Sequence, residues 1–222
     1  MALARTQPKA SAPTTGEVDG TRDRILQIAT GLFASNGFHS VSLRRLTQEA
    51  GVNLASVSYH FGSKEGLIAA IFARYCEPMM MHRRAMLLAC IEKRGRPPIL
   101  EQIIEAFIVP AIVTSDDTAD RATFTRLRAV LAHENNALAH ELISKYFDAT
   151  STLFVEALHR YVPHLSREDV LWRFHFLLSA LYYTTVNPMR IQVLSGGKID
   201  PTDQRKAVRE MVKFVAAGFR AK

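Results

Sequence analysis

From Thr21 onward, apolar residues recur at intervals of three and four, and no window sustains the apolar–polar alternation of a strand. Ile25, Ile28, Ala29, Leu32 and Phe33 set the pattern at i, i+3, i+4, i+7 and i+8. A helix repeats its faces every 3.6 residues and a strand every two, so this spacing predicts an all-α fold. The punctuation agrees. Asn36-Gly37 closes a first helix, Ser42 caps a short second one that Gly51 ends, and Asn53 caps a short third. Gly62-Ser63 then opens a long fourth helix to about Lys93, in which Pro78 predicts a kink or a break. Further helices are expected at about 98–114, 117–134, 137–161, 166–187 and 201–220. Ser166 with Asp169 opens the fourth of these, and Asp200-Pro201 the last. Residues 1–19 carry Pro8, Pro13 and small polar residues without an apolar repeat, and read as a mobile tail.

Composition removes several classes. With 222 residues, 48% of them hydrophobic and 22% charged, the chain can fill a core and is not expected to be disordered. The apolar run Phe176–Tyr183 is too short to span a bilayer, and residues 1–16 lack the apolar core of a secretion signal. A cytoplasmic protein without a membrane partner is therefore expected. The net charge of +7 favours a polyanionic partner. Cys76 and Cys90, about 21 Å apart if they share one helix, offer neither a disulfide nor a zinc site. His133-Glu134 and His140-Glu141 stand two turns apart, about 10 Å, too far for one metal ion. No catalytic constellation is legible, so neither a cofactor nor an enzyme is expected.

The informative stretch is 21–66. Three short helices with a glycine at the second corner describe a helix-turn-helix, whose third helix enters the major groove of DNA. Such a helix needs one apolar face to hold it and one face of small or hydrogen-bonding side chains to read bases. Val57 and Phe61 supply the first; Ala55, Ser56, Ser58, Tyr59 and His60 supply the second, with no acid among them. Ser42, Arg44, Arg45 and Lys64 suit phosphate contacts. Leu54 is ambiguous, because its spacing to Val57 and Phe61 also fits the core.

Residues 24–66 resemble the DNA-binding domain of the tetracycline-repressor (TetR/AcrR) family. The resemblance rests on Arg24-Ile25-Leu26, Ala29, Leu32-Phe33, Gly37-Phe38, Val41-Ser42-Leu43, Ala50-Gly51-Val52, Tyr59-His60-Phe61 and Lys64-Glu65-Gly66-Leu67. It implies that Ser42, Leu43 and Arg44 lie near the DNA backbone. It implies that Leu54, Ala55, Ser56, Ser58 and Tyr59 read or abut bases, and that His60 and Lys64 touch phosphates. The family usually has an aromatic residue where this chain has Ser58 and Gly where it has Ala55. Which of Ser58 and Tyr59 makes the aromatic's contact stays open.

The same resemblance divides the chain into a DNA-binding domain at 20–66 and a helical domain at 67–222 that dimerises and binds a small effector. The segment 171–186 is apolar on nearly all sides and needs burial twice. The resemblance implies that this segment pairs with the last helix in a dimer interface, for which Leu171, Phe174, Leu178, Val208, Met211, Val215 and Phe219 are the candidates. Aromatic and methionine residues exceed what one core needs, which makes Met79, Phe107, Phe124, Phe174, Tyr182 and Tyr183 candidate effector contacts, with Arg128 and His175 for a head group. The run from Val57 to Glu65 and the run from Trp172 to Phe176 also resemble the fatty-acid-responsive PsrA-type repressors, which implies a fatty acid or acyl-CoA. The expected function is a ligand-responsive repressor. As a homodimer it binds a palindromic double-stranded operator, and a small apolar effector releases it.

Overall fold

The computed structural model describes residues 15–92, 99–113, 118–134 and 137–222. Among them every regular element is helical. Most of the expected mobile tail, residues 1–14, lies outside the described residues; the remainder begins α1, Thr15–Asn36. Next come α2, Leu43–Ala50, and α3, Leu54–Phe61. Their starts are fixed locally. The Ser42 hydroxyl accepts from the Arg45 amide at 3.2 Å, and the Asn53 side chain accepts from the Ser56 amide at 2.8 Å. Each satisfies an amide that the first helical turn leaves unpaired, an effect of about 1 kcal/mol. Between them Gly51 sits at φ +62° and ψ +37°, the left-handed conformation that a residue without Cβ adopts at no steric cost.

Helix α4 spans Lys64–Ile91 without interruption, so Pro78 does not break it. Pro78 is exposed, so the carbonyl one turn back loses its helical donor where water can replace it. Three further helices follow: α5, Leu100–Ile112; α6, Thr118–His133; and α7, Ala137–Ile143. A π turn at Ser144–Asp148 then leads without a gap into α8, Ala149–Tyr161. The sequence pattern predicts one helix across 137–161; the π turn is an insertion that a 3.6-residue pattern does not register. Helix α9, Arg167–Val186, opens on the expected box, Ser166 and Asp169 capping each other's amides.

Two details after α9 differ from the sequence reading. Met189–Leu194 forms a short helix, α10, where none is expected. Helix α11, Gln204–Arg220, starts later than Pro201, because the Asp200 carboxylate binds the Thr202 amide (2.8 Å) and hydroxyl (2.7 Å) and closes a turn. Asp203 caps α11 instead, accepting from the Lys206 amide. Arg173 of α9 donates to the carbonyls of Gly218 and Ala221 at 2.7 Å each, capping the far end of α11 with a cation.

The buried side chains form two clusters. One gathers Ile25, Leu26, Phe33, Leu46, Val57, Leu67, Ile71 and Phe72 from α1–α4, and is completed by Phe124, Leu127 and Leu131 of α6 and Leu142 of α7. The first half of α4 thus belongs to the N-terminal core, past residue 66. The other cluster joins α5, α8, α9 and α11 around Phe107, whose ring meets Phe154 at 4.9 Å and Phe174 at 5.0 Å. Val208, Met211, Val215 and Phe219 of α11 and Phe174 of α9 are buried in this second core. As an expected dimer surface they are corrected: within one protomer they already face α5 and α9.

Candidate nucleic-acid interface and effector core

Helix α3 is held through one side. Val57 is fully buried, a contribution of about 2 kcal/mol, and Phe61 packs beside it. The opposite face is open: Leu54, Ala55, Ser58 and Tyr59 are exposed, Tyr59 to 80%. Leu54 therefore lies on the outer face, not in the core. Ser56 and His60 are half-buried at the margins; the Ser56 hydroxyl donates to Asn53, and the His60 ring stands edge-on to Tyr59. An eight-residue helix presenting four exposed, uncharged side chains in one stripe can enter a major groove without repelling phosphate.

Cations flank this face. Arg44 and Arg45 are exposed on α2, where Leu43 is half-buried beneath them and Ser42 is exposed at the helix start. Arg45 also donates to the Asn36 side chain at 3.3 Å. On the other flank the Arg22 guanidinium lies 5.7 Å from the Phe61 ring centre. Lys64 is placed differently from the sequence expectation. Its ammonium donates to the Phe38 carbonyl and lies 4.3 Å from the Phe38 ring centre. Partial burial holds its pKa below the usual lysine value, against the opposing pull of Glu65 and Glu134. Lys64 so placed clamps the turn between α1 and α2. Arg44→Ala should reduce the slope of log affinity against log salt by about one per subunit, whereas Lys64→Ala should leave the slope unchanged and lower Tm. DNA titrations at several salt concentrations and a melting curve read both.

Glu134, just past α6, completes the clamp. One carboxylate oxygen accepts from the Phe38 amide at 3.3 Å, across 96 residues of sequence. The other oxygen lies too close to the position of a Cβ on Gly37 for one to fit without displacing it. Through this contact, and through Phe124, Leu127 and Leu131 in the N-terminal core, α6 bears directly on the DNA-binding helices.

The expected effector residues fall into two groups. Phe107, Phe124 and Phe174 are buried and Met79 half-buried, while Phe124 stacks on Tyr75 with ring centres 4.7 Å apart. Arg128 of α6 lies over the Phe147 ring at 4.5 Å, and its charge is felt by the Tyr182 hydroxyl. His175, Tyr182 and Tyr183, by contrast, are exposed on the outer side of α9, Tyr182 to 37%. With them on that side stand Leu171, Trp172, Phe176 and Leu178, and Phe214 of α11 is 70% exposed. Sequence reasoning missed Arg83, which is buried and donates to the Phe107 carbonyl at 2.9 Å. A signal existed: Cys76, Met80, Arg83 and Leu87 recur at helical spacing on one buried face of α4, a register that otherwise takes apolar residues.

Among the described residues no group of acids, histidines or cysteines could hold a metal, and no helix is long and apolar enough to cross a membrane. The His133 side chain, half of the histidine–glutamate pattern, lies outside the described residues.

Comparison with known proteins agrees with this geometry. Residues 25–71 match the bacterial regulatory proteins of the tetR family, and residues 105–218 match the tetracyclin repressor-like C-terminal domain. The transcriptional regulator UidR of Escherichia coli is 38% identical over 71 positions, covering 28% of this chain and 36% of that protein. The transcriptional repressor KstR2 of Rhodococcus jostii is 28% identical over 88 positions, 40% of this chain and 43% of that protein. The chain thus spans less than half the length of these curated relatives. The likeness in fold is broader. A fatty acid degradation regulator, FadR of Bacillus halodurans, superposes with a TM-score of 0.61 at 16% identity, over 93% of this chain and 96% of that one. Ketosteroid regulator KstR2 of Mycobacterium tuberculosis gives 0.62 at 12% identity, over 89% and 93%. With a helix-turn-helix at one end and the family's C-terminal domain across the other half, the chain belongs to the TetR family of transcriptional regulators.

Proposed function

We propose that this regulator is a ligand-responsive repressor of the cytoplasm, with a DNA-binding domain at 20–66 and an effector and dimerisation domain at 67–222. The observation that carries the reading is the span of α6. This helix holds Arg128 among the C-terminal elements, and Glu134, just past its end, accepts from the Phe38 amide on the turn before α2. A ligand that shifts α6 acts on the placement of α2 and α3 without an intermediary. Such control needs differential affinity: a hundredfold loss of operator binding requires about 2.7 kcal/mol of coupling, and operator DNA must weaken the ligand equally.

The operator is double-stranded and palindromic, because one short helix reads few base pairs and two copies are needed for specificity. The second copy docks on the exposed apolar side of α9, and Leu171 and Leu178 are the members of the expected interface that point there. DNA contacts come from Ser42, Leu43, Arg44, Leu54, Ala55, Ser56, Ser58, Tyr59 and His60; exposure favours Tyr59 for the deeper groove contact. The effector is largely apolar. Regulators of similar fold are named for fatty acid degradation and for ketosteroids, which supports an acyl chain, as a fatty acid or acyl-CoA, over a sugar. Selection of bound fragments from random duplex DNA tests the reading. It should return an inverted repeat; a single half-site, or no enriched sequence, overturns it.

A further inference from the structure

Two arginines lie where the apolar clusters meet. Arg83 of α4 is 3% exposed, its guanidinium 3.7 Å from the Phe107 ring centre, and its Nε bonds the Phe107 carbonyl. Arg128 of α6, half-buried as a whole, rests against Phe147, and its Nε is shut from solvent without a hydrogen-bond partner. Among the described residues neither guanidinium forms an ion pair. The charges are close enough that Arg128 adds to burial in drawing Arg83 down to about 9, a value at which it still keeps its proton at neutral pH. Glu77, next to Cys76 on α4, accepts from the Tyr146 hydroxyl. Buried charge without a counter-ion is costly, and two like charges more so. A chain selected for stability alone would fill these positions with apolar residues, as it does at Cys76, Met80 and Leu87 on the same face of α4.

We propose that Arg83 and Arg128 form a receptor for an oxyanionic head group, so that the effector is an amphiphilic anion, a carboxylate or phosphate on an apolar body. The proposal rests on the reading of the C-terminal half as effector-responsive, and it adds the charge and the residues that recognise it. Guanidinium groups present fixed forks of N–H donors that match carboxylate and phosphate oxygens. The two arginines come from different helices, α4 and α6, so an anion bridging them ties together the elements that lead into the DNA-binding core. The Tyr182 hydroxyl, near enough to feel the Arg128 charge, offers a further donor. The surroundings of the pair are apolar and aromatic: Phe107, Phe147 and Cys76, whose thiol is pushed up to about 12 by burial and is inert.

Calorimetric titration with decanoate, decyl phosphate and 1-decanol, which share a chain and differ in head group, tests the proposal. At least one anion should bind about tenfold or more tightly than the alcohol. Which anion binds separates a carboxylate effector from a phosphate one, and either supports the receptor. Arg128→Met should abolish the preference for the anion, yet melt at or above the wild-type temperature without ligand, because it removes an uncompensated charge. Arg83→Met, which also loses the bond to Phe107, is the second variant and should abolish the same preference. Equal binding of alcohol and anions, failure of both anions to bind, or an unchanged preference in both variants overturns the receptor. Operator release by 1-decanol as efficient as by the anions removes the receptor and leaves effector control standing. Arginine-dependent anion binding without any change in operator affinity keeps the receptor and removes effector control.

Discussion

Replacing Phe176 by glutamate should leave the protein folded, hold it as a monomer of 24.8 kDa, and weaken operator binding about a hundredfold or more. Phe176 is 58% exposed, in line along α9 with Trp172 (56%) and Tyr183 (55%). These side chains, with Leu171 and Leu178, make an outward apolar stripe, a pattern that marks an association surface in a soluble protein. A carboxylate there costs little in a lone protomer, where water reaches it, and much in a dimer, where it faces its own symmetry copy. Sedimentation at micromolar concentration should read twice 24.8 kDa for the wild type and 24.8 kDa for the variant. A variant that stays dimeric, or a monomer that holds a full operator as tightly, contradicts the proposed α9 interface.

Gly66→Ala should destabilise the chain by about 3 kcal/mol, lowering Tm by roughly 6–12 °C. A Cβ at Gly66 would stand 2.0 Å from the Phe61 carbonyl oxygen and 3.2 Å from its carbon. Neither atom can move alone, because that oxygen also accepts from the Ser63 amide at 2.8 Å in the turn between α3 and α4. Any relief must tilt α3, so DNA affinity should fall with stability. Gly31→Ala in α1 is the control: a Cβ there meets nothing within 4 Å, and the helix gains up to about 1 kcal/mol. Equal melting temperatures for the two alanine variants would refute this account of the turn.

Much of the architecture was legible because its determinants are local. The caps at Ser42, Asn53, Ser63 and Ser166 act within three residues of themselves, and the glycine ending α2 acts within one turn. The two faces of α3 were legible for the same reason: an eight-residue helix with a buried Val57 has its other face determined by geometry. What was not legible depends on partners far along the chain. Nothing near Lys64 announces that its ammonium will meet Phe38, nor that Glu134 will arrive from the far end of α6. Apolar spacing likewise shows that Val208, Met211, Val215 and Phe219 share a face, but not whether α5 of the same chain or a second copy covers it. Arg83 escaped notice because a charge in an apolar register reads as the edge of a stripe. Only the position of α5 turns it into a buried cation.

The sharing of one core by α1–α4 and α6 has a consequence for inheritance. Were the reading head a cassette, recombination could join it to any sensor and keep both working. Here Phe124, Leu127 and Leu131 fill the space beneath α1, and Glu134 lies against Gly37. A chimaera cut within α4 would import foreign side chains into that space and leave either a void or a clash, each worth several kcal/mol against a stability margin of about 5–15. The viable crossovers are those that carry α6 along with the first four helices. Sensor and reading head in this lineage are therefore expected to change in step, through paired substitutions across the α1–α6 seam.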